Sequence, residues 1–237
     1  MKLDNPLLVQ WEYASEERLA KRNAITRDLI AGEDPEEHVF RAVAETHPSR
    51  VLDVGCGTGE LAARVAASVG AKVAAVDLSA RMVELARERG VDARVADVAN
   101  LPFADGSFDT VAACWVLYHV PELDNAIDQC ARVLTPSGRL VAATIGDNVP
   151  EIWELVGAGR DELSFSPDNG ADLLARRFVR VERRDVQAEL VFPDAAAIRG
   201  LVAAHITKAY LAPRVPELSG EFRATLRHTI FVADEPR

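Results

Sequence analysis

The stretch from Val51 to Glu60 constrains this chain most, because an apolar run leads directly into a glycine-rich turn. Its sequence is VLDVGCGTGE, so glycine occupies positions 55, 57 and 59. Glycine has no Cβ and adopts positive φ at little cost, which lets a ligand lie against the main chain of such a turn at a helix N-terminus. The pattern predicts a strand, a ligand-binding loop and the beginning of a helix.

The spacing of these glycines differs from that of a dinucleotide-binding loop. The Gly-x-Gly-x-x-Gly fingerprint would place its third glycine at position 60, where this chain has Glu60. A bulky carboxylate there disfavours a pyrophosphate. A nicotinamide-dependent oxidoreductase on a similar sheet stays an alternative, since Asp77 alone would permit it.

Further motifs follow the glycine loop in a fixed order. They are AVDLS at 75–79, ADV at 96–98, LPFADGSFD at 101–109, YHV at 118–120 and RVLTPSG at 132–138. With the glycine loop, this series resembles the class I S-adenosylmethionine-dependent methyltransferases over roughly residues 45–145. One departure is Ser137, where the family often has a second glycine, and it affects only the shape of that turn.

The alternation of short apolar runs with helical periods after Arg50 is typical of βαβ units. With the resemblance, it predicts a Rossmann-like α/β fold: a mostly parallel seven-stranded sheet with helices on both faces and an antiparallel C-terminal strand. The expected strands cover 51–54, 72–76, 93–96, 108–114, 139–144, 178–192 and 222–232, and the expected flanking helices cover 13–31, 35–47, 151–157 and 194–211.

We expect one domain over residues 1–237. Residues 1–48 form an N-terminal helical lid, 49–145 the cofactor-binding core, and 146–237 the acceptor-pocket elements with the last two strands. A chain of 237 residues, 49% of them hydrophobic, is long enough to bury a substantial core.

Composition narrows the classes of partner. The net charge of −10 argues against nucleic acid, whose binding needs clustered Lys and Arg. The three cysteines have neither metal-binding nor redox spacing, which favours reduced thiols in an intracellular protein. No leader-like or membrane-spanning run is evident, so we expect a cytoplasmic protein without a membrane partner, either a monomer or a homodimer.

The resemblance implies S-adenosyl-L-methionine as cofactor and S-adenosyl-L-homocysteine as product. Main-chain N–H groups at Gly55, Cys56, Gly57 and Gly59 and at the start of the following helix suit the carboxylate of the methionine end, because helix N-termini favour negative charge. Asp53, at the end of the first core strand, can face the ammonium directly or through water. The alternative is that Asp53 only caps the loop.

The next strand ends at Asp77, about as far beyond Gly59 as the carboxylate that reaches ribose hydroxyls in nucleotide-binding βαβ units. Asp77 can instead be the N-cap of the following helix, although Ser79 is the better cap. Leu78 and Met82 can pack beside the adenine or belong to the core.

Three further cofactor contacts are expected. The resemblance implies that Asp97 accepts a hydrogen bond from the adenine amino group and that Val98 offers its N–H to the ring; Asp97 can also be a surface turn acid. Trp115 follows a strand at the sheet edge where ligands gather, so its carbonyl can hold the ammonium, or the residue can serve packing. Tyr13 is favoured as part of the lid.

Methyl transfer from a sulfonium is an in-line displacement. Proximity alone contributes about 7–11 kcal/mol, so a base is optional unless the acceptor is a hydroxyl or phenol, for which a base adds roughly 10²–10⁴-fold. His119 is the candidate base and Tyr118 can position the acceptor, although this segment can be a packed turn.

His228 lies on the apolar face of a strand, which is typical of a core residue. His205 lies in a late helix that can approach the pocket.

The leading interpretation is methyl transfer to oxygen, nitrogen or carbon of a small-molecule acceptor. Aromatic side chains outside the core can form a pocket for it, or can simply be buried; they are Trp11, Tyr13, Trp153, Phe165 and Tyr210. Besides the oxidoreductase, the alternative is a noncatalytic S-adenosylmethionine-binding protein. Nucleic-acid methylation is disfavoured, because residues 115–118 lack an Asn/Asp-Pro-Pro-aromatic pattern.

Overall fold

A computed structural model of the chain describes residues 3–5, 7–9 and 17–237, with side chains described from residue 23 in the last range. Trp11 and Tyr13 lie outside the described residues. The roles expected for these two aromatic residues therefore stay predictions.

From residue 17 onward, the chain forms eight β-strands and eight α-helices around one sheet. The strands are β1 (Ile30–Gly32), β2 (Arg50–Val54), β3 (Lys72–Asp77), β4 (Asp92–Val95), β5 (Phe108–Cys114), β6 (Leu134–Ile145), β7 (Phe178–Phe192) and β8 (Phe222–Pro236). The helices are α1 (Glu17–Leu29), α2 (Pro35–Ala44), α3 (Glu60–Val69), α4 (Ala80–Glu88), α5 (Leu123–Val133), α6 (Pro150–Leu155), α7 (Gly170–Ala175) and α8 (Ala195–Ala203). Short 3₁₀ helices cover Val98–Asn100, Leu117–His119 and Ala209–Arg214.

The strand order is β1-β7-β8-β6-β5-β2-β3-β4. Strands β2 to β6 pair in parallel, whereas β8 is antiparallel to both of its neighbours, β6 and β7. The predicted Rossmann-like fold with an antiparallel C-terminal strand is confirmed. The sheet has one strand more than predicted, because β1 adds to the edge of β7.

Both faces of the central strands are buried. Along β2, Leu52 and Val54 belong to one apolar cluster and Val51 to another, and β5 divides in the same way at Val111 and Ala112. Successive side chains of a strand point to opposite faces, so these residues need cover on each side. Helix α5 covers one face, and helices α2 and α3 contribute to the cluster on the other.

Two predicted helices are shorter in the structure. The helix expected over 13–31 ends at Leu29, because Ile30 and Gly32 pair with Leu190 and Ala188 of β7, whose edge would otherwise be unpaired. The helix expected over 194–211 stops at Ala203, before a turn and the last 3₁₀ helix. No helix in the described part of the chain has the length and apolar character needed to cross a bilayer.

Candidate active site

The carboxyl ends of the parallel strands open into one cavity of about 1600 Å³. Val54, Asp77, Cys114 and Ile145, the ends of β2, β3, β5 and β6, all line it. Ligands of open α/β sheets bind at this edge, beside the point where the order of the strands reverses. Here β3 and β4 lie on one side of β2, and β5 and β6 lie on the other. A single drug-sized ligand occupies a pocket of about 300–1,000 Å³, so the cavity has room for two small molecules.

The glycine loop is held in the left-handed conformation, with φ of +68° at Gly55, +52° at Gly57 and +79° at Gly59. A Cβ at Gly55 would lie 2.4 Å from Val116 Cγ2, a side chain on the cavity wall. The glycine therefore allows the loop and the segment after β5 to meet beside the cavity.

The main-chain N–H groups expected to bind the methionine carboxylate are already used within the protein. Those of Gly55 and Cys56 donate to the Val76 carbonyl at 2.8 and 3.1 Å, that of Gly57 to Asp77 Oδ2 at 2.9 Å, and that of Gly59 to the Cys56 carbonyl. This corrects the part of the prediction that concerns the loop N–H groups. The start of α3, which the prediction also included, stays the expected anion site, because a helix N-terminus favours negative charge and Glu60 and Leu61 line the cavity.

Gly59 also departs from its expected role, because it is not among the residues that line the cavity. A Cβ there would lie 2.8 Å from Ala86 Cβ, in the core between α3 and α4. Gly59 thus permits two helices to pack closely, and the bare main chain beside the cavity comes from Gly55 to Gly57.

Asp53 is a buried carboxylate on the cavity wall, only 4% exposed. Its Oδ2 atom has no hydrogen-bond partner among the described residues. Burial, and then the charge of Asp77, raise the pKa of Asp53 to about 7 against an opposing hydrogen bond from the Ala62 main chain. A buried carboxylate oxygen without a donor is costly, so the site favours a cationic ligand group at this point.

Asp77 is fixed against the loop. Its Oδ1 accepts the Ser79 N–H at 2.8 Å and its Oδ2 accepts the Gly57 N–H, while burial raises its pKa against these bonds. Ser79 is the N-cap of α4, as predicted, because its Oγ accepts the Met82 N–H. Each carboxylate oxygen can accept a second hydrogen bond, so Asp77 can still meet two hydroxyls.

Three of the residues predicted near the adenine line the cavity: Leu78, Asp97 and Val98. Leu78 is 62% exposed, and Asp97 uses Oδ1 to accept the Ala99 N–H at 2.9 Å. Met82 does not line the cavity. It is fully buried on the inner side of α4, so the prediction of an adenine contact is corrected and Met82 is a core residue.

His119 and Tyr118 both line the cavity from the 3₁₀ helix after β5. His119 Nδ1 lies 3.0 Å from the Leu3 carbonyl oxygen. A carbonyl can only accept, so Nδ1 carries the proton and Nε2 of the neutral ring carries the lone pair that a base needs. Tyr118 packs beside this ring, with 4.5 Å between the centroids.

Sequence reasoning missed His228, which was predicted to be a core residue. It lines the cavity, because β8 is antiparallel to β6 and the register places His228 opposite Ile145, at the carboxyl end of β6. Trp115, which has a φ of +58°, donates from Nε1 to His228 Nδ1 at 2.8 Å. Burial lowers the pKa of His228 to about 4. The sequence feature that could have indicated a functional role for His228 was its position as a lone histidine among apolar strand residues.

The acceptor side of the cavity differs in part from the prediction. Trp153 and His205 line it, with ring centroids 4.7 Å apart. Phe165 is fully buried in the core and Tyr210 is 73% exposed; neither lines the cavity. Lys208, also on the wall, is a residue that sequence reasoning did not single out.

Lys208 is part of a buried polar cluster. Its ammonium lies 2.8 Å from Asp161 Oδ2 and 4.4 Å from the centroid of the Trp153 ring, and the Thr207 hydroxyl donates to Asp161 Oδ1. The ion pair satisfies both charges, and it joins the loop before α7 to the segment after α8.

The fold and this cavity define a Rossmann-like α/β protein that holds its ligands at the carboxyl edge of the sheet. The sequence pattern of the family described as "Methyltransferase domain" matches residues 52–142. This match covers most of the segment whose motifs resemble the class I S-adenosylmethionine-dependent methyltransferases.

Curated relatives match about half of the chain. The 27-O-demethylrifamycin SV methyltransferase of Amycolatopsis mediterranei is 44% identical over 138 residues, which are 54% of this chain and 47% of that protein. The ubiquinone biosynthesis O-methyltransferase of Xanthomonas oryzae pv. oryzae is 39% identical over 123 residues, 49% of this chain and 51% of that protein. The chain spans about half the length of the curated relatives it matches.

The fold extends beyond the matched segment. A Thermotoga maritima protein described as a SAM-dependent methyltransferase, possible histamine N-methyltransferase, superposes with a TM-score of 0.60 at 19% identity. The match covers 95% of this chain and 99% of that protein. At this identity, the likeness establishes a common architecture.

Proposed function

We propose that this chain transfers a methyl group from S-adenosylmethionine to a small-molecule acceptor. One observation carries the proposal: Asp53 lies on the wall of a cavity beside a glycine loop, and its buried Oδ2 has no hydrogen-bond donor among the described residues. The ammonium of the cofactor's methionine end would supply the missing donors and the compensating charge.

The other residues on this side of the cavity fit the rest of the cofactor. The Asp77 carboxylate can accept from two ribose hydroxyls while it keeps its bonds to Gly57 and Ser79. Asp97 has an oxygen besides the one that caps the 3₁₀ helix, and Leu78 offers an exposed apolar surface to an adenine ring. The same side of the cavity thus offers binding groups for the ammonium, for the two ribose hydroxyls and for the adenine ring.

His119 is the base that we assign. The hydrogen bond from Nδ1 to the Leu3 carbonyl fixes the ring and its tautomer, so Nε2 can take a proton from an acceptor hydroxyl. The bound cofactor supplies an electrophilic methyl group on a sulfonium. Tyr118, next to His119 on the wall, would position the acceptor, and the surrounding apolar side chains would keep water out.

Oxygen is the acceptor atom that we favour. A hydroxyl or phenol needs a base, which His119 can provide, and both curated relatives described above carry O-methylation in their names. Trp153, buried on the acceptor side, suits a ring-bearing molecule. We further propose a cytoplasmic location, because Cys56, Cys114 and Cys130 are all free, as in reducing compartments.

The test is transfer of label from methyl-labelled S-adenosylmethionine to phenols and hydroxylated aromatic metabolites, followed by mass analysis of products. We expect labelled ethers with wild-type protein and loss of most label with D53A. Cofactor binding without a labelled product across broad metabolite extracts would favour the noncatalytic module. Binding of NADH without binding of S-adenosylmethionine would instead favour the oxidoreductase.

A further inference from the structure

We propose that His228 and Asn148 form a donor pair that binds a hydrogen-bond-accepting oxygen of the methyl acceptor, a carbonyl or a phenolate. This inference rests on the proposed function, because it assigns chemistry to the acceptor half of the same cavity. Both side chains line that cavity, and His228 Nε2 lies 3.4 Å from Asn148 Nδ2.

The proton on His228 is assigned by Trp115. The indole nitrogen can only donate, and it lies 2.8 Å from His228 Nδ1, so Nδ1 must be the unprotonated nitrogen. The neutral imidazole then carries its proton on Nε2. An imidazolium would place a second N–H against the indole N–H, and burial of the ring disfavours that charged form as well.

The orientation of Asn148 is assigned by the main chain. Its Oδ1 accepts the Arg227 N–H at 2.7 Å, so the amide cannot be reversed without placing two donors in contact. The Asn148 carbonyl also accepts the Trp153 indole N–H at 2.9 Å, which fixes the residue further. Asn148 therefore presents Nδ2, a donor, to His228.

Two donors thus face each other across 3.4 Å and cannot bond to one another. One oxygen placed between them on the cavity side would accept from both, as an oxyanion does in sites of acyl transfer. A carbonyl, enolate or phenolate oxygen has the lone pairs for this, whereas an ammonium or an amide N–H would be repelled. The pair therefore selects acceptors with such an oxygen.

The strain at Trp115 agrees with a functional role for the pair. A left-handed φ of +58° is uncommon and unfavourable for a bulky residue, and such strain concentrates at functional sites. Here the strained residue is the one that sets the tautomer of His228.

The test uses two fragments that differ in one oxygen, 4-fluoroacetophenone and 1-ethyl-4-fluorobenzene, titrated by fluorine NMR into protein saturated with S-adenosylhomocysteine. We expect the ketone to bind about tenfold more tightly than the hydrocarbon, as two hydrogen bonds would allow. N148D should abolish this preference, because the new carboxylate would accept the Nε2–H itself. H228Q, which keeps an N–H donor near Nε2, should retain much of it.

Nitrogen-15 NMR of the His228 ring provides a readout without any ligand. We expect Nε2 to be protonated and Nδ1 unprotonated from pH 5 to pH 8. In W115F, which has no indole N–H, we expect the proton to be shared between the two ring nitrogens. Equal affinity for the two fragments in wild-type protein, or the opposite tautomer, would overturn the donor pair. Failure of S-adenosylhomocysteine to bind at all would overturn the proposed function instead, so the two failures are distinguishable.

Discussion

At the scale of single residues, the unusual feature is a carboxylate that is neutral about half the time near pH 7. The pKa of Asp53 is raised to about 7 by burial and by Asp77, and only the ionised form attracts an ammonium. A cofactor that requires ionised Asp53 should therefore bind about tenfold more weakly at pH 6 than at pH 8. Calorimetry with S-adenosylhomocysteine across this range measures it; a flat profile would contradict the assigned partner.

In the absence of a bound ligand, Asp53 should also lower the free energy of unfolding of the protein. Its folded-state pKa of about 7 lies above the ordinary aspartate pKa of 3.8, so between these pH values the folded state binds the extra proton and loses stability as the pH rises. D53N removes the charge, and we expect its Tm to exceed that of wild-type protein at pH 8. The difference should shrink at pH 5; a lower Tm for D53N at both pH values would be inconsistent with this reasoning.

His119 offers a third prediction at this scale. H119A should lower kcat by about 10²–10⁴-fold for a phenolic or hydroxyl acceptor, the usual contribution of a base, without a change in cofactor affinity. H119N is the matched variant, because its amide can still donate to the Leu3 carbonyl but cannot act as a base. Wild-type turnover by either variant would exclude this residue as the base.

At the scale of elements, helix α3 provides a controlled comparison between its two ends. Gly59 and Gly70 flank it, with φ of +79° and +75°, but a Cβ at Gly59 would lie 2.8 Å from Ala86 Cβ, whereas one at Gly70 meets nothing within 4 Å. We expect G70A to cost about 1–2 kcal/mol for the left-handed conformation alone. G59A should cost a further 1–3 kcal/mol or so for the clash. Urea unfolding measures both; equal losses would refute close packing at Gly59.

Seven of the eight described strands were predictable because each of them carries its own signal. Buried parallel strands are short apolar runs between helical periods. Five of the seven predicted strands needed only changes at their ends, and the other two needed none. Strand β1 carries no such signal: Ile30–Gly32 is a strand only because the edge of β7 is available to pair with it.

At the scale of the whole molecule, the part of the cavity beside the glycine loop was more predictable than the part beside β8. Asp53, Asp77 and Asp97 each follow or end a parallel strand, and parallel strands bring their carboxyl ends to one edge. Periodicity could not show that Gly59 and Met82 face the core rather than the cavity. Likewise, His228 meets Trp115 and Asn148 through the register of an antiparallel strand, which no local pattern reveals.

The most direct test of the central claim is calorimetric titration of S-adenosylhomocysteine into wild-type protein and D53N at pH 8. The account predicts one bound molecule per wild-type chain and an affinity at least about tenfold lower for D53N, because the ammonium loses its buried charged partner. Equal affinity of the two proteins, or no binding to the wild-type chain, would contradict it.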